Sequence, residues 1–353
     1  MATLRTKSRR RTIVGLDIEP GRAVAAEVTL NGSLQLSRAA TIDLPLGVVR
    51  DGEVVDVEAV SAALRQLWSE HKGLGRVVRV GVANAKIVVR SVDIPPLTDP
   101  AQIEAAVRQI AAEELPMPLE SAVLDYEPVG IVQTSMGPRL RVVVIAARRE
   151  MVEAVLAAVT GAGLKPRGVD LSAFAMIRAL GGESAGSALY LSVGGMANLA
   201  VVVDGVCLFT RVTGAGLEGM GMELAERRSL TLEHARMWLR HVGFEDELDE
   251  IEGDPLVIRD ARAILIEGTR RLATEVRASL EFHQTQAASG DEIARAVLTG
   301  VAASVPGFAD ALSAELGMPV ETRHVGASAR LAAGTDLGGM TVAAGLAVEA
   351  VPG

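Results

Sequence analysis

The chain has 353 residues, of which 49% are apolar but only 3% aromatic, and it holds one cysteine, Cys207. That length carries two or three subdomains with cores of Ala, Val, Leu and Ile, while a single thiol excludes an internal disulfide framework and agrees with a reducing cytoplasm. Against 35 Lys and Arg stand 44 Asp and Glu, and the net charge of -9 excludes general nucleic-acid binding, which needs a basic surface to displace counterions.

No apolar run approaches the roughly 20 residues of a membrane span; a stretch such as Val142 to Ala147 is strand-sized. Residues 1–11 hold Arg5, Lys7, Arg9, Arg10 and Arg11 with no apolar segment behind them, so they read as a basic flexible tail and not as a secretory signal. Contact of that tail with an anionic leaflet stays open. Residues 12 to 46 alternate apolar and polar side chains as paired strands do, with Asn31-Gly32 as a two-residue hairpin turn. Val60, Ala63, Leu64, Leu67 and Trp68 predict a helix over Val57 to His71, ended by Lys72-Gly73.

Val77 to Val82 and Lys86 to Ile94 read as two strands closed by Pro95-Pro96. Thr98 or Asp99 then caps a helix with Pro100 in its first turn, Ile103, Val107, Ile110 and Leu115 along one face, and Pro116 and Pro118 as its stop. Strands from Ala122 to Gly130 and Arg139 to Ala147 follow, then a helix from Arg149 to Gly161. The expected organisation is a first lobe over 12–185 with an inserted α+β unit at about 77–164, a hinge at Gly181 to Gly186, and a second lobe over 186–350.

In the second half the Gly-rich stretch Gly214 to Gly221 reads as the entry to a helix rather than a phosphate cradle. Ser229 to Val242 is a predicted helix capped by Thr231 and ended by Gly243. A long amphipathic helix runs from about Ile258 to Gln286, with Leu272, Val276 and Leu280 on its buried face. His234 and His241 have no Cys or carboxylate completing a zinc set and read as a surface pair. Met196, Met220 and Met222 read as adaptable packing and Cys207 as inert core.

Two segments look like copies of one another: Leu16 to Val28, and Leu191 to Val203. Each is a strand, a tight Gly turn and a second strand. Duplicated hairpins of this kind point to an α/β, two-lobed, actin-like ATPase fold with duplicated ribonuclease-H-like halves, in which the two turns face a nucleotide's phosphates.

Over residues 12 to 350 the chain resembles the PilM family, the cytoplasmic actin-like component of type IV pilus assembly. The resemblance is carried by Val89 to Leu97, the helix from Gln102, Leu115-Pro-Met-Pro118 and Leu124-Asp125-Tyr126. Ala162 to Pro166 with Val169-Asp170, Leu208 to Arg211, Ser279 to Phe282 and Leu298-Thr-Gly300 extend it. It implies an actin-like fold whose inserted block replaces one of actin's subdomains, an ATP site between the lobes, and a groove near 77–130 for the cytoplasmic tail of the inner-membrane protein PilN. It also implies a place at the inner membrane reached through partners, with contacts to pilus motor or platform proteins; self-association stays open. FtsA is a more distant relative that ends in a membrane-binding amphipathic helix, which Ala347 to Gly353 is not expected to form.

What the resemblance implies for single residues is mixed. Asp17 would hold a nucleotide's Mg²⁺ through water, and Gly21, Gly194, Gly195 and Asn198 would approach phosphates. Gly300 would pack against the adenosine. Yet the first turn reads Glu19-Pro20-Gly21, placing a negative charge and a residue without an N–H where phosphates would sit. Ser192 stands where the family has an Asp, and Val301 and Ala302 replace a second Gly. Asp170 reads either as the group that orients an attacking water or as a helix N-cap. The expectation is a scaffold docking a PilN-like tail with weak or lost ATP binding; the alternatives are an active ATPase or kinase of the superfold, or an FtsA-like membrane-tethered filament.

Overall fold

Two sheets built to one plan carry the molecule. The structure is a computed structural model that describes residues 13–30, 33–115, 117–181, 186–286, 293–329, 331 and 334–348. The expected basic tail, the Asn31-Gly32 turn, the stop at Pro116, the middle of the Gly181 to Gly186 hinge and the last residues lie outside these.

Three antiparallel strands come first: β1 (Val14–Glu19), β2 (Arg22–Leu30) and β3 (Leu34–Asp43). A ribbon of β4 (Val49–Arg50) and β5 (Glu53–Val54) leads to α1 (Val57–Glu70). Asp56 caps α1 by accepting the Ala59 N–H, and the five apolar positions expected to face inward are buried. β6 (Val77–Val82) then runs parallel to β1.

Next come β7 (Val88–Ile94), α2 (Pro100–Glu114), β8 (Ala122–Thr134) and β9 (Gly137–Arg148), which make a separate three-stranded sheet in the order β7-β9-β8. Asp99 caps α2 by accepting the Ala101 N–H, with Pro100 in the first turn. The period of two along β9 serves both faces of this sheet. Leu140, Val142 and Val144 bury against Ile94, Ile103 and Val107, while Val143 and Ala147 join the first lobe's core. α3 (Arg149–Gly161) packs on α1, and β10 (Lys165–Leu171) runs parallel to β6.

After α4 (Ser172–Leu180) the plan repeats. β11 (Ser187–Val193), β12 (Ala197–Val203) and β13 (Val206–Thr213) are antiparallel. Three helices follow: α5 (Leu217–Arg228), α6 (Leu232–Val242) and α7 (Pro255–Gln286). β14 (Ala296–Thr299) lies parallel to β11, and after α8 (Phe308–Leu316), β15 (Val320–Thr322) lies parallel to β14. The second sheet has the order β13-β12-β11-β14-β15, and the first has β3-β2-β1-β6-β10 at its heart. The two halves therefore share strand order and strand sense.

Three features differ from the sequence expectation. β6 is not part of the inserted unit: Val78, Val80 and Val82 are core residues of the first sheet, between β1 and β10. The last segment does not stay with the second half. β16 (Gly326–Ala327) pairs with β3, and α9 (Thr341–Leu346) lies on β1 and β2. Small residues allow that approach: a Cβ on Gly15 would fall 1.8 Å from the Ala343 carbonyl oxygen, and one on Gly345 equally close to that of Ala175. Finally, Ser229 is not part of α6, which starts at Leu232 behind its expected cap Thr231; Ser229 instead terminates α5 in the left-handed conformation (φ 51°).

Tyr190, Ala200, Val297, Met176, Val342 and Leu346 form a core that joins the second sheet to α4 and α9. No helix among the described residues is long and apolar enough to cross a membrane.

Candidate functional site

The strand order brings the two duplicated turns face to face. Gly21 takes φ 85°, closing the β1–β2 turn immediately after Pro20. Opposite it, Gly194 and Gly195 close the β11–β12 turn, and the Gly195 N–H donates to Glu19 Oε2 at 2.7 Å. Arg22 Nε and Nη2 donate to the other oxygen, Oε1, at 2.8 and 2.7 Å, and Nη2 reaches the Gly339 carbonyl at 3.3 Å.

The contact is close enough to need glycine at two positions of the second turn. A Cβ on Gly194 would lie 2.4 Å from Glu19 Oε2, and one on Gly195 would lie 2.4 Å from the Pro20 carbonyl oxygen. Gly216, at the start of α5, would meet the Gly195 carbonyl at 2.4 Å, and the Leu217 N–H donates to Gly194. The Gly214 to Gly221 stretch is thus the entry to a helix packed on the second turn.

Asp17 lies two residues before Glu19 on β1 and accepts a hydrogen bond from Ser172 Oγ at 3.0 Å. Burial pushes its carboxyl up to about 7, Glu19's negative charge adds to that, and Ser172 and Arg22 pull it back. Asp170 does not join the turns. It accepts the Leu171 N–H at 2.8 Å and pairs with Arg178, which also reaches the Gly345 carbonyl. The N-cap reading of Asp170 is corrected: α4 begins after Leu171 and has no side-chain cap.

Gly300 has φ 89°, and a Cβ there would fall 2.5 Å from the Val193 carbonyl oxygen. Its glycine is required by packing within the second sheet. Ser192 and Asn198 are register partners across β11 and β12. Asn198 is buried with its Oδ1 unpartnered, and it lines a different cavity from the one beside the turns.

Beside the turns is a cavity of about 260 Å³ whose charged lining comes from residues that sequence reasoning missed. Arg236 of α6 pairs with both oxygens of Glu218 on α5 at 2.7 to 3.0 Å and approaches Asp43 at 3.7 Å. Arg240 pairs with Asp336 at 3.2 Å. Of these residues, only Arg22 had a local signal, its place directly after the turn; Glu218 and Arg236 meet through the α5–α6 packing alone.

Phosphates do not fit between the turns in this arrangement. The Gly195 N–H already has an anionic acceptor, the Pro20 carbonyl fills the gap, and Arg22, Arg236 and Arg240 are each engaged by a carboxylate. Among the described residues no three His, Cys, Asp or Glu side chains converge as a metal cage.

A second cavity, of about 350 Å³, opens between the start of the three-stranded sheet and the second half. Val82 to Arg90 form one wall, and Phe209 to Val212 with Phe282 form the other. Phe282 is half-exposed and stacks obliquely on Phe209 with ring centroids 6.1 Å apart.

The remaining candidates are ordinary. His234 and His241 are exposed, the latter edge-on to Trp238 and within 2.9 Å of the Glu252 carbonyl. Met196 and Met220 are buried, whereas Met222 is exposed. Cys207 is half-buried, and burial pushes its thiol up to about 12.

Known proteins share this architecture. A structure described as a PilM–PilN type IV pilus biogenesis complex contains a chain 26% identical to this one, with a TM-score of 0.77, covering 95% of this chain and 97% of that one. The ethanolamine utilization protein EutJ from Carboxydothermus hydrogenoformans (17% identity, TM-score 0.55) covers 95% of this chain and 89% of its own. MreB5 of Spiroplasma citri bound to ADP (13%, 0.54) covers 95% of each chain. Both share the actin-like ATPase fold. The family model for the type IV pilus assembly protein PilM matches residues 15–349. With that match over nearly its whole length, the chain belongs to the PilM family of type IV pilus assembly proteins.

Proposed function

We propose that the protein is an actin-like scaffold of a pilus assembly machine, that it docks the cytoplasmic tail of a PilN-like inner-membrane protein, and that its ATP binding is weak or lost. In this reading it lies at the inner membrane through that partner. The observation that carries the docking is the 350 Å³ cavity between β7 and β13. Its lining is mixed in character, with Phe209 and Phe282 as apolar groups, Arg90 and Arg211 as charged ones and the buried Asn198 Oδ1 without a partner. An extended peptide meets such a groove with its own N–H groups and alternate side chains.

The nucleotide part of the proposal is supported by the contact between the turns and by the loss of acidic residues at Ser192. In this reading Asp17, Gly21, Gly194, Gly195 and Gly300 serve closure of the fold, and Asp170 holds Arg178 rather than a water. The inserted unit consists of residues from the end of β6 to the end of β9, with its own small core.

Fluorescence anisotropy with a labelled peptide of the partner's cytoplasmic tail tests the docking. Saturable binding that weakens at least about tenfold in Phe282→Ala is expected, since truncating an aromatic anchor at the centre of an interface costs about 2 kcal/mol or more. Binding that ignores both Phe282→Ala and Arg90→Glu would place the tail elsewhere.

A further inference from the structure

Glu19 makes the first turn unlike a phosphate loop, yet its carboxylate has the surroundings of a bound phosphate oxygen. A phosphate between two glycine turns is held by backbone N–H groups and by cations. Here Glu19 Oε2 accepts the Gly195 N–H at 2.7 Å, and Oε1 is gripped by Arg22 through two nitrogens at 2.7 and 2.8 Å. The side chains of Glu19 and Arg22 are only 12% and 17% exposed, so water screens the pair poorly. Arg22 also ties the carboxylate to the C-terminal segment through the Gly339 carbonyl. One anion therefore connects β1, β2, the β11–β12 turn and the segment before α9.

We propose that Glu19 is a tethered substitute for a nucleotide phosphate, a latch that closes the two turns on each other without nucleotide. The latch rests on reading the turns as counterparts of the family's phosphate loops, and it is independent of the peptide groove, whose lining includes neither Glu19 nor Arg22. Tethering gives the carboxylate a high effective concentration at the Gly195 N–H, with no translational entropy to lose. A free phosphate has to displace it and also move the Pro20 carbonyl.

The test uses the full chain and follows hydrogen exchange of the Gly195 amide by NMR, with and without millimolar Mg-ATP or inorganic phosphate. In the wild type the amide is protected and neither addition changes it. In Glu19→Ala it exchanges about 10- to 100-fold faster, the range expected for loss of a charge-assisted hydrogen bond, and Mg-ATP restores protection. Glu19→Gln, nearly isosteric, moves the same way by less and guards against a folding defect in the first variant.

The latch is overturned by unchanged protection in both variants, or by wild-type protein that binds Mg-ATP as tightly as Glu19→Ala. It is also overturned as a phosphate substitute if the variants open and neither Mg-ATP nor phosphate restores protection. Tail-peptide binding in the same samples separates the two ideas. Peptide that fails to bind wild-type protein with a protected Gly195 amide refutes the docking and leaves the latch standing.

Discussion

Asp17 shows at the scale of one residue how position outweighs identity. Its carboxyl is held up to about 7 by burial first and by Glu19 second. The folded state therefore binds a proton that the unfolded chain, with an ordinary value of 3.8, releases earlier. The stability linked to Asp17 is fully present below about pH 4 and is lost as pH rises towards 7. Asp17→Asn keeps an acceptor for Ser172 and removes the buried charge. It should stabilise the protein by on the order of 2 kcal/mol at pH 8 and by little at pH 4, as urea melts at the two pH values will read. Equal effects at both would mean that Asp17 is not the group that titrates.

Gly300 gives a second residue-scale prediction. The resemblance implies a place beside adenosine, but φ 89° and the 2.5 Å approach to the Val193 carbonyl demand glycine with no ligand present. Gly300→Ala should cost about 2–4 kcal/mol in nucleotide-free protein. A variant of wild-type stability would return Gly300 to a role in binding.

At the scale of elements, the helices and hairpins were legible because their signals are local. Asp99, one of the two caps expected for α2, holds that place, and the buried face of α1 matches its apolar spacing. Thr231 caps α6 as expected, accepting the His234 N–H, while Ser229 lies outside that helix, where α5 ends. The small core of Ile94, Ile103, Val107, Leu140, Val142 and Val144 makes the three-stranded sheet a candidate for separate loosening. Val107→Asp buries an unpaired charge there. Hydrogen exchange should rise throughout β7, α2, β8 and β9 while β1, β6, β11 and β14 stay protected. Loss of protection in all of them would show that the inserted sheet and the main sheets unfold as one unit.

At the scale of the whole molecule, strand order decides what the turns can do. β1 and β11 are each central in their sheets, and so the turns that follow them meet between the halves. The same placement sets α5 and α6 beside the turns, delivering Glu218, Arg236 and Arg240 to one cavity. β16 and α9 then lead the chain back over β3 and β1, where Gly15 lets β1 meet α9 and Gly345 lets α9 meet α4. This return makes the first sheet depend on the last described segment of the chain.

The residues by themselves determined the duplicated hairpins, the α/β class, and the helices and strands between residues 77 and 161. These depend on period, capping and turn chemistry within a few residues. Tertiary structure alone decided that β6 belongs to the main sheet, that α9 crosses to the first half, and that Asp170 meets Arg178. It alone showed that Glu19, at the end of β1, has Gly195 and Arg22 as partners. Contacts between residues 19 and 195 depend on how two sheets are set against each other, and no local pattern in a chain encodes that distance.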